Sequence, residues 1–156
     1  MEYIIDGYNL IKSSFLSKYE SRGISYSIQM FINILADYHR KHPSISFTAI
    51  FDGGSPLPQV IPYEKRIRVL FSGDISADEV IRKSVEKAPE KNISKTVVSN
   101  DREVRAAGRL FGARVMGVVE FLNIVCPPVK AKTKSKTKKD INMLGIEKEL
   151  KRHYKI

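Results

Sequence analysis

The sequence predicts an α/β protein, a three-layer α/β/α sandwich around a mainly parallel central sheet. Two patterns carry that expectation. Short apolar runs alternate with helical stretches long enough to cross between parallel strands. Three of those runs also end in aspartate: Tyr3-Ile4-Ile5-Asp6, Thr48-Ala49-Ile50-Phe51-Asp52 and Thr96-Val97-Val98-Ser99-Asn100-Asp101. A fourth acid, Asp78, opens the helix that follows Ile67–Phe71. Ligands of open parallel sheets bind outside the carboxyl ends of the strands, so the four acids are expected at one edge.

Tyr3–Asp6 is apolar on consecutive residues, which suits a central strand buried on both faces. Asp6-Gly7 would serve a hairpin turn, but Tyr8–Tyr19 lacks the alternation of a returning strand. Ile28, Phe31, Ile32, Leu35 and Tyr38 keep helical spacing from Tyr26 to Lys41, and Pro43 stops that helix. Ser46–Asp52 is the second strand, residues 53–58 are a Gly/Pro loop, and Ile67–Phe71 is the third strand. Ser76-Ala77-Asp78-Glu79 has the form of a capping box, so a helix starts there and runs toward Pro89. Thr96–Ser99 is the fourth strand. The helix Asp101–Phe111 is closed by Gly112, Arg114–Met116 is a short fifth strand, and Val119–Ile124 a short helix. The globular domain is expected over residues 1–126, a Lys-rich linker over 127–139 and a basic helix over 140–156.

The chain has 156 residues, 42% hydrophobic, which suits one self-sufficient core. Cys126 is its only cysteine, so no internal disulfide forms and a reducing, cytoplasmic setting is expected. No signal sequence and no membrane span are apparent. Net charge is +10, with +3 on residues 1–129 and +7 on residues 130–156. Such asymmetry favours a polyanionic partner, nucleic acid before an acidic membrane.

Carboxylates gathered at one edge repel one another and lose hydration, which calls for a cation between them. Mg²⁺ or Mn²⁺ fits oxygen donors, and such an ion can activate water against a phosphodiester. Other chemistries lack support. His39 and His42 fall at a helix end, His153 in the tail, and no Cys/His spacing suits zinc. No organic cofactor is expected. Each acid also has a plainer reading: Asp6 as a turn residue, Asp52 as a turn before Gly53-Gly54, Asp78 as a first-turn helical acid, Asp101 as an N-cap. Glu79 reads as the box partner of Ser76. Asn9 and Asn100 are supporting candidates beside Asp6 and Asp101.

Ile4-Ile5-Asp6-Gly7-Tyr8-Asn9-Leu10-Ile11 resembles the opening motif of the YacP-like NYN-domain proteins, a branch of the PIN-like ribonucleases. Ile50-Phe51-Asp52-Gly53, Phe71-Ser72-Gly73 leading to Ala77-Asp78-Glu79, and Val98-Ser99-Asn100-Asp101-Arg102-Glu103 are similar in the same order, as are Gly112-Ala113 and Glu120-Phe121-Leu122. The likeness spans about residues 3–125 and leaves the tail outside. It implies a PIN-like fold and endoribonuclease activity, with Asp6, Asp78 and Asp101 as the catalytic, metal-binding acids and Asp52 and Asn9 nearby. Arg82 departs from the pattern, standing where an acid is expected a turn after Ala77-Asp78-Glu79. Asn100 interrupts the more usual Thr-Ser-Asp.

RNA needs cations and stacking surfaces around such an edge. Lys65, Arg66, Arg68, Arg102 and Arg105 are phosphate-contact candidates. Tyr8 and Tyr63 are stacking candidates. Lys130, Lys132, Lys134, Lys136, Lys138 and Lys139 would add sequence-independent affinity. The reading is a metal-dependent endoribonuclease. Its alternative is a non-catalytic module that docks on RNA or a ribosome through the basic tail.

Overall fold

The computed structural model describes residues 1–54, 66–86 and 93–127. Five strands form one sheet: β1 (Glu2–Asp6), β2 (Ser46–Phe51), β3 (Ile67–Phe71), β4 (Lys95–Val98) and β5 (Arg114–Met116). Their order is β3-β2-β1-β4-β5, and every pairing is parallel. The helices are α1 (Gly7–Lys12), α2 (Ile24–Lys41), α3 (Ala77–Glu86), α4 (Arg102–Leu110) and α5 (Val118–Val125), with a 3-10 helix over Phe15–Arg22.

β1 is central because side chains on both of its faces are apolar. Ile5 joins a cluster with Phe31, Phe47, Phe51 and Phe121 beneath α1, α2 and α5. Ile4 faces the opposite layer, with Ile50, Ile81, Val97 and Val104 beneath α3 and α4. Each such side chain contributes about 1.5–3 kcal/mol on burial. α2 covers its face with Ile28, Phe31, Ile32 and Leu35, the stripe that the sequence spacing marks. Among the described residues no helix is long and apolar enough to cross a membrane.

Two elements lie where the sequence shows no pattern. After β1 the chain turns directly into α1 and then the 3-10 helix, so Asp6-Gly7 is not a hairpin. α1 is under two turns, and the 3-10 helix repeats every three residues, so neither shows the period of a longer α-helix. Residues 55–65 and 128–156 lie outside the described residues, and with them the expected loop tip, Tyr63, Lys65, most of the linker and the C-terminal helix.

Strand order places the topological switch point at β1. The chain steps from β1 to β2 to β3 on one side, then returns to β4 on the other. The loops leaving β1 and β4 therefore diverge, opening a crevice above their carboxyl ends.

α1 starts close against β2. A Cβ on Gly7 would lie 2.3, 2.5 and 2.6 Å from the Phe51 ring. That ring has no room to retreat, because Tyr8 packs edge-on at 5.2 Å between centroids and Phe71 stacks at 5.5 Å. Gly7→Ala is expected to lose about 1–3 kcal/mol of stability by overpacking, measured by urea unfolding. Wild-type stability in that variant would show that Phe51 yields freely.

Candidate active site

Asp6 ends β1 and caps α1. Its Oδ1 accepts from the Asn9 backbone N–H at 3.2 Å, and its Oδ2 accepts from the Ser99 hydroxyl at 3.0 Å. Ser99 is fully buried, and its Oγ also accepts from the Asp101 backbone N–H at 3.0 Å. One hydroxyl thus ties the carboxyl ends of β1 and β4 together. Sequence reading passed over Ser99, because nothing in its neighbours distinguishes a bridging serine from any strand-end residue.

Asp101 is the N-cap of α4, as its plainer reading holds, with Oδ1 accepting from Glu103 N at 2.7 Å and Val104 N at 3.3 Å. Asp52 does more than shape a turn. Its Oδ1 accepts from the Ala77 backbone N–H at 2.6 Å, so the end of β2 fixes the start of α3. Ser76 Oγ caps the same helix through Glu79 N at 3.2 Å, the first half of the expected box. The Glu79 side chain pairs with Lys83 at 2.8 Å, and Lys83 draws its carboxyl below the usual range. Asp78 is left exposed on the first turn of α3.

These acids feel one another. Burial pushes the Asp6 carboxyl above its ordinary range, the bonds from Asn9 and Ser99 draw it back, and the charges of Asp78 and Asp52 add to the rise. Partial loss of hydration raises Asp78 too, followed by the charges of Asp101, Asp52 and Glu103. Asp78 is the common neighbour. The expectation of a single closed cage is not met, however: among the described residues no group of three or more His, Cys, Asp or Glu side chains is gathered to hold a metal by itself. The charges of Asp6, Asp52 and Asp101 are each felt with that of Asp78. Such a loose set suits a hard cation that takes one or two carboxylates and fills its remaining positions with water and substrate phosphate.

A cleft of about 330 Å³ opens between α3 and α4, lined by Asp78, Glu79, Arg82, Glu103, Val104 and Ala107. Glu103 is an acid that the sequence reading left within its helix. Its position two residues after Asp101 was the available signal. Arg82 pairs with the exposed Glu86 at 3.5 Å.

The asparagines are structural supports. Asn9 Oδ1 accepts from the Asn100 backbone N–H at 2.8 Å, and Asn100 Oδ1 accepts from Val118 N at 3.0 Å, at the start of α5. Tyr8 stands at the acid edge, where burial and then Asp52 raise its phenol pKa; Lys12 Nζ lies 5.9 Å from its ring centroid. Arg102 is exposed and Arg105 half-buried on α4, beside Asp101. Arg66 and Arg68 are placed differently from expectation. Arg66 precedes β3 at its amino end, opposite the acids in a parallel sheet. Arg68 lies mid-strand and is bonded to Glu2 at 2.8 Å and to Thr48 Oγ1 at 3.2 Å. Lys65 and the lysines from Lys130 to Lys139 lie outside the described residues.

The family model of the YacP-like NYN domain matches residues 3–155. The chain belongs to that family. The match runs through the Lys-rich tail, which corrects the expectation that the likeness stops near residue 125. Two solved structures share the fold of this YacP-like NYN domain. The crystal structure of Rae1 (YacP) from Bacillus subtilis aligns with a TM-score of 0.69 at 19% identity, covering 99% of this chain and 80% of that one. Its W164L mutant aligns with a TM-score of 0.66 at 21% identity, covering 80% and 74%. No curated protein matches the chain by sequence. Membership in the family makes this a domain of ribonuclease type.

The crowding of Asp6 carries a pH signature. Its folded pKa is raised above the ordinary 3.8, so the native state holds the proton more tightly than the unfolded chain. The associated stability is fully present below the unfolded value and is lost as pH rises through the folded one. Asp6→Asn keeps the acceptor for Asn9 and removes the charge, but gives up the acceptor for the Ser99 hydroxyl. Without divalent ions, wild type is therefore expected to gain stability relative to Asp6→Asn as pH falls from neutral toward pH 4. Thermal unfolding across pH in EDTA measures this; a difference between the two proteins that stays constant with pH would contradict it.

Proposed function

We propose that this YacP-like NYN domain is a metal-dependent endoribonuclease that hydrolyses RNA phosphodiester bonds, using Mg²⁺ or Mn²⁺. The observation that carries the reading is Asp6. A mostly buried carboxylate, fixed at both oxygens and pressed by the charges of Asp78 and Asp52, stands at the switch point of a parallel sheet. Like charges held in this way cost stability unless a cation offsets them.

The donors fit the ion: carboxylate oxygens only, with neither thiolate nor imidazole among them. Asp6 and Asp78, with Asp101 alongside, would hold it. When bound, a divalent ion supplies a water acidic enough to attack phosphorus near neutral pH and offsets charge on the phosphoryl oxygens. The other residues position this set. Ser99 keeps Asp6 and the Asp101 backbone in one register, Asp52 sets the first turn of α3 and so the place of Asp78, and Asn9 and Asn100 hold the loop after β4. Arg102 and Arg105 stand beside Asp101, where the RNA backbone would pass. A cytoplasmic setting agrees with Cys126 being the only cysteine of the sequence.

Purified protein incubated with single-stranded and folded RNAs tests this, in Mn²⁺, Mg²⁺ or EDTA. Cleavage is expected with either ion and none in EDTA. Asp6→Asn should abolish cleavage and spare RNA binding. Ser99→Ala, which removes a support of a ligand carboxylate, should lower kcat/KM about 10–100-fold. No cleavage of any RNA, with binding untouched by Asp6→Asn, would leave the non-catalytic binding module. Deleting residues 130–156 is expected to weaken RNA affinity more than saturated turnover and to flatten the salt dependence of binding. Unchanged salt dependence would remove the tail from RNA recognition.

A further inference from the structure

Four of the nine described arginines are engaged by other side chains. Arg22 bonds Tyr26, Arg40 pairs with Asp37, Arg68 with Glu2 and Arg82 with Glu86. α4 gathers three of the remaining five. It carries Arg102, Arg105 and Arg109, and among the described residues none of the three pairs with a carboxylate.

Their spacing is three and four residues, so at 3.6 residues per turn all three fall within about 60° of one helix face. Two other faces of the helix are engaged within the protein. Val104 and Gly108 are buried, Gly108 so closely that a Cβ there would meet Val97 and Val115 at 3.1 Å. Glu103 and Ala107 line the cleft toward α3. The arginine face is the one turned away from that cleft. Arg105 is half-buried, and its Nε is buried without a hydrogen-bond partner among the described residues. A buried donor left unmatched is a cost that packing alone does not explain. It also means that the side-chain stem is held, so less rotamer freedom remains to be lost on binding.

We propose that this face of α4 is a phosphate rail for a single RNA strand. The rail begins one residue after Asp101, at the acid edge, and runs about 10 Å along the helix to Arg109. It holds the backbone on one side of the scissile bond and leaves the bases unread, because guanidiniums on phosphates carry no sequence information. The inference deepens the nuclease reading and rests on it for the scissile bond; binding to the rail itself needs no catalysis.

The test uses the full chain and a 5′-labelled, mixed-sequence single-stranded oligoribonucleotide, followed by anisotropy in EDTA across a salt series. Each phosphate contact contributes about 0.7 to the slope of log affinity against log salt for a single strand. The triple variant Arg102→Gln/Arg105→Gln/Arg109→Gln is expected to lose about 2 from that slope. Arg102→Gln/Arg109→Gln, which spares the half-buried Arg105, should lose about 1.4 and fold as wild type. Lys41→Gln removes an exposed charge at the end of α2, in the opposite helix layer, and should change neither slope nor affinity. An unchanged slope in the double variant, an equal loss in Lys41→Gln, or no RNA binding by wild type would each overturn the rail. Metal-dependent cleavage with rail-independent binding would sink the rail alone. Rail-dependent binding without cleavage would sink the nuclease reading alone.

Discussion

A single buried hydroxyl holds this molecule's chemistry together. β1 and β4 are neighbours in the sheet but distant in sequence, and each delivers an aspartate to the same edge. Asp6 is meanwhile pressed by negative charge from α3 and from the end of β2. Ser99 resists this by donating to the Asp6 carboxylate while accepting from the Asp101 backbone. The bond to a charged acceptor is of the stronger class, about 1.5–3 kcal/mol. It is sheltered from water, where its partners have no alternative.

The two helix layers exist to keep that junction steady. Aromatic packing of Phe47, Phe51 and Phe121 beneath α2 and α5 fixes one face of β1, and Ile4 with Ile50 and Ile81 fixes the other. Side chains from the sheet in turn fix the helices. Asp52 caps α3 across a gap of 25 residues, so Asp78 is set by β2 rather than by its own helix. The acids are thereby positioned by backbone geometry, with short side chains that have little freedom to drift. Asp78 also lines the cleft between α3 and α4, together with Glu103.

The sequence was legible wherever burial imposes a period. All five strands, the stripe of α2, the Ser76 cap and the Gly112 stop of α4, with its positive φ of 78°, lie where hydropathy and turn chemistry put them. α1 and the 3-10 helix were not, since α1 is under two turns and the 3-10 helix does not keep the 3.6-residue period of an α-helix. The edge that gathers the acids followed from strand ends ending in Asp. The details did not. That Asp52 would serve as another element's cap, that Ser99 would bridge, and that Glu103 would share a cleft with Asp78 are all contacts between residues far apart in the chain or across helix faces. Arg66 and Arg68 show the converse: following the loop after the second strand in sequence does not bring a residue to the carboxyl end of a parallel strand.

The asparagine pair has a consequence for how the loop after β4 meets a ligand. Asn9 grips that loop from α1, and Asn100 grips α5 from within it, so the segment is pinned at two points by side-chain amides. A loop anchored on both flanks has surrendered its slack during folding. Incoming substrate then finds a rigid rim, and none of its interaction energy is diverted into ordering the polypeptide.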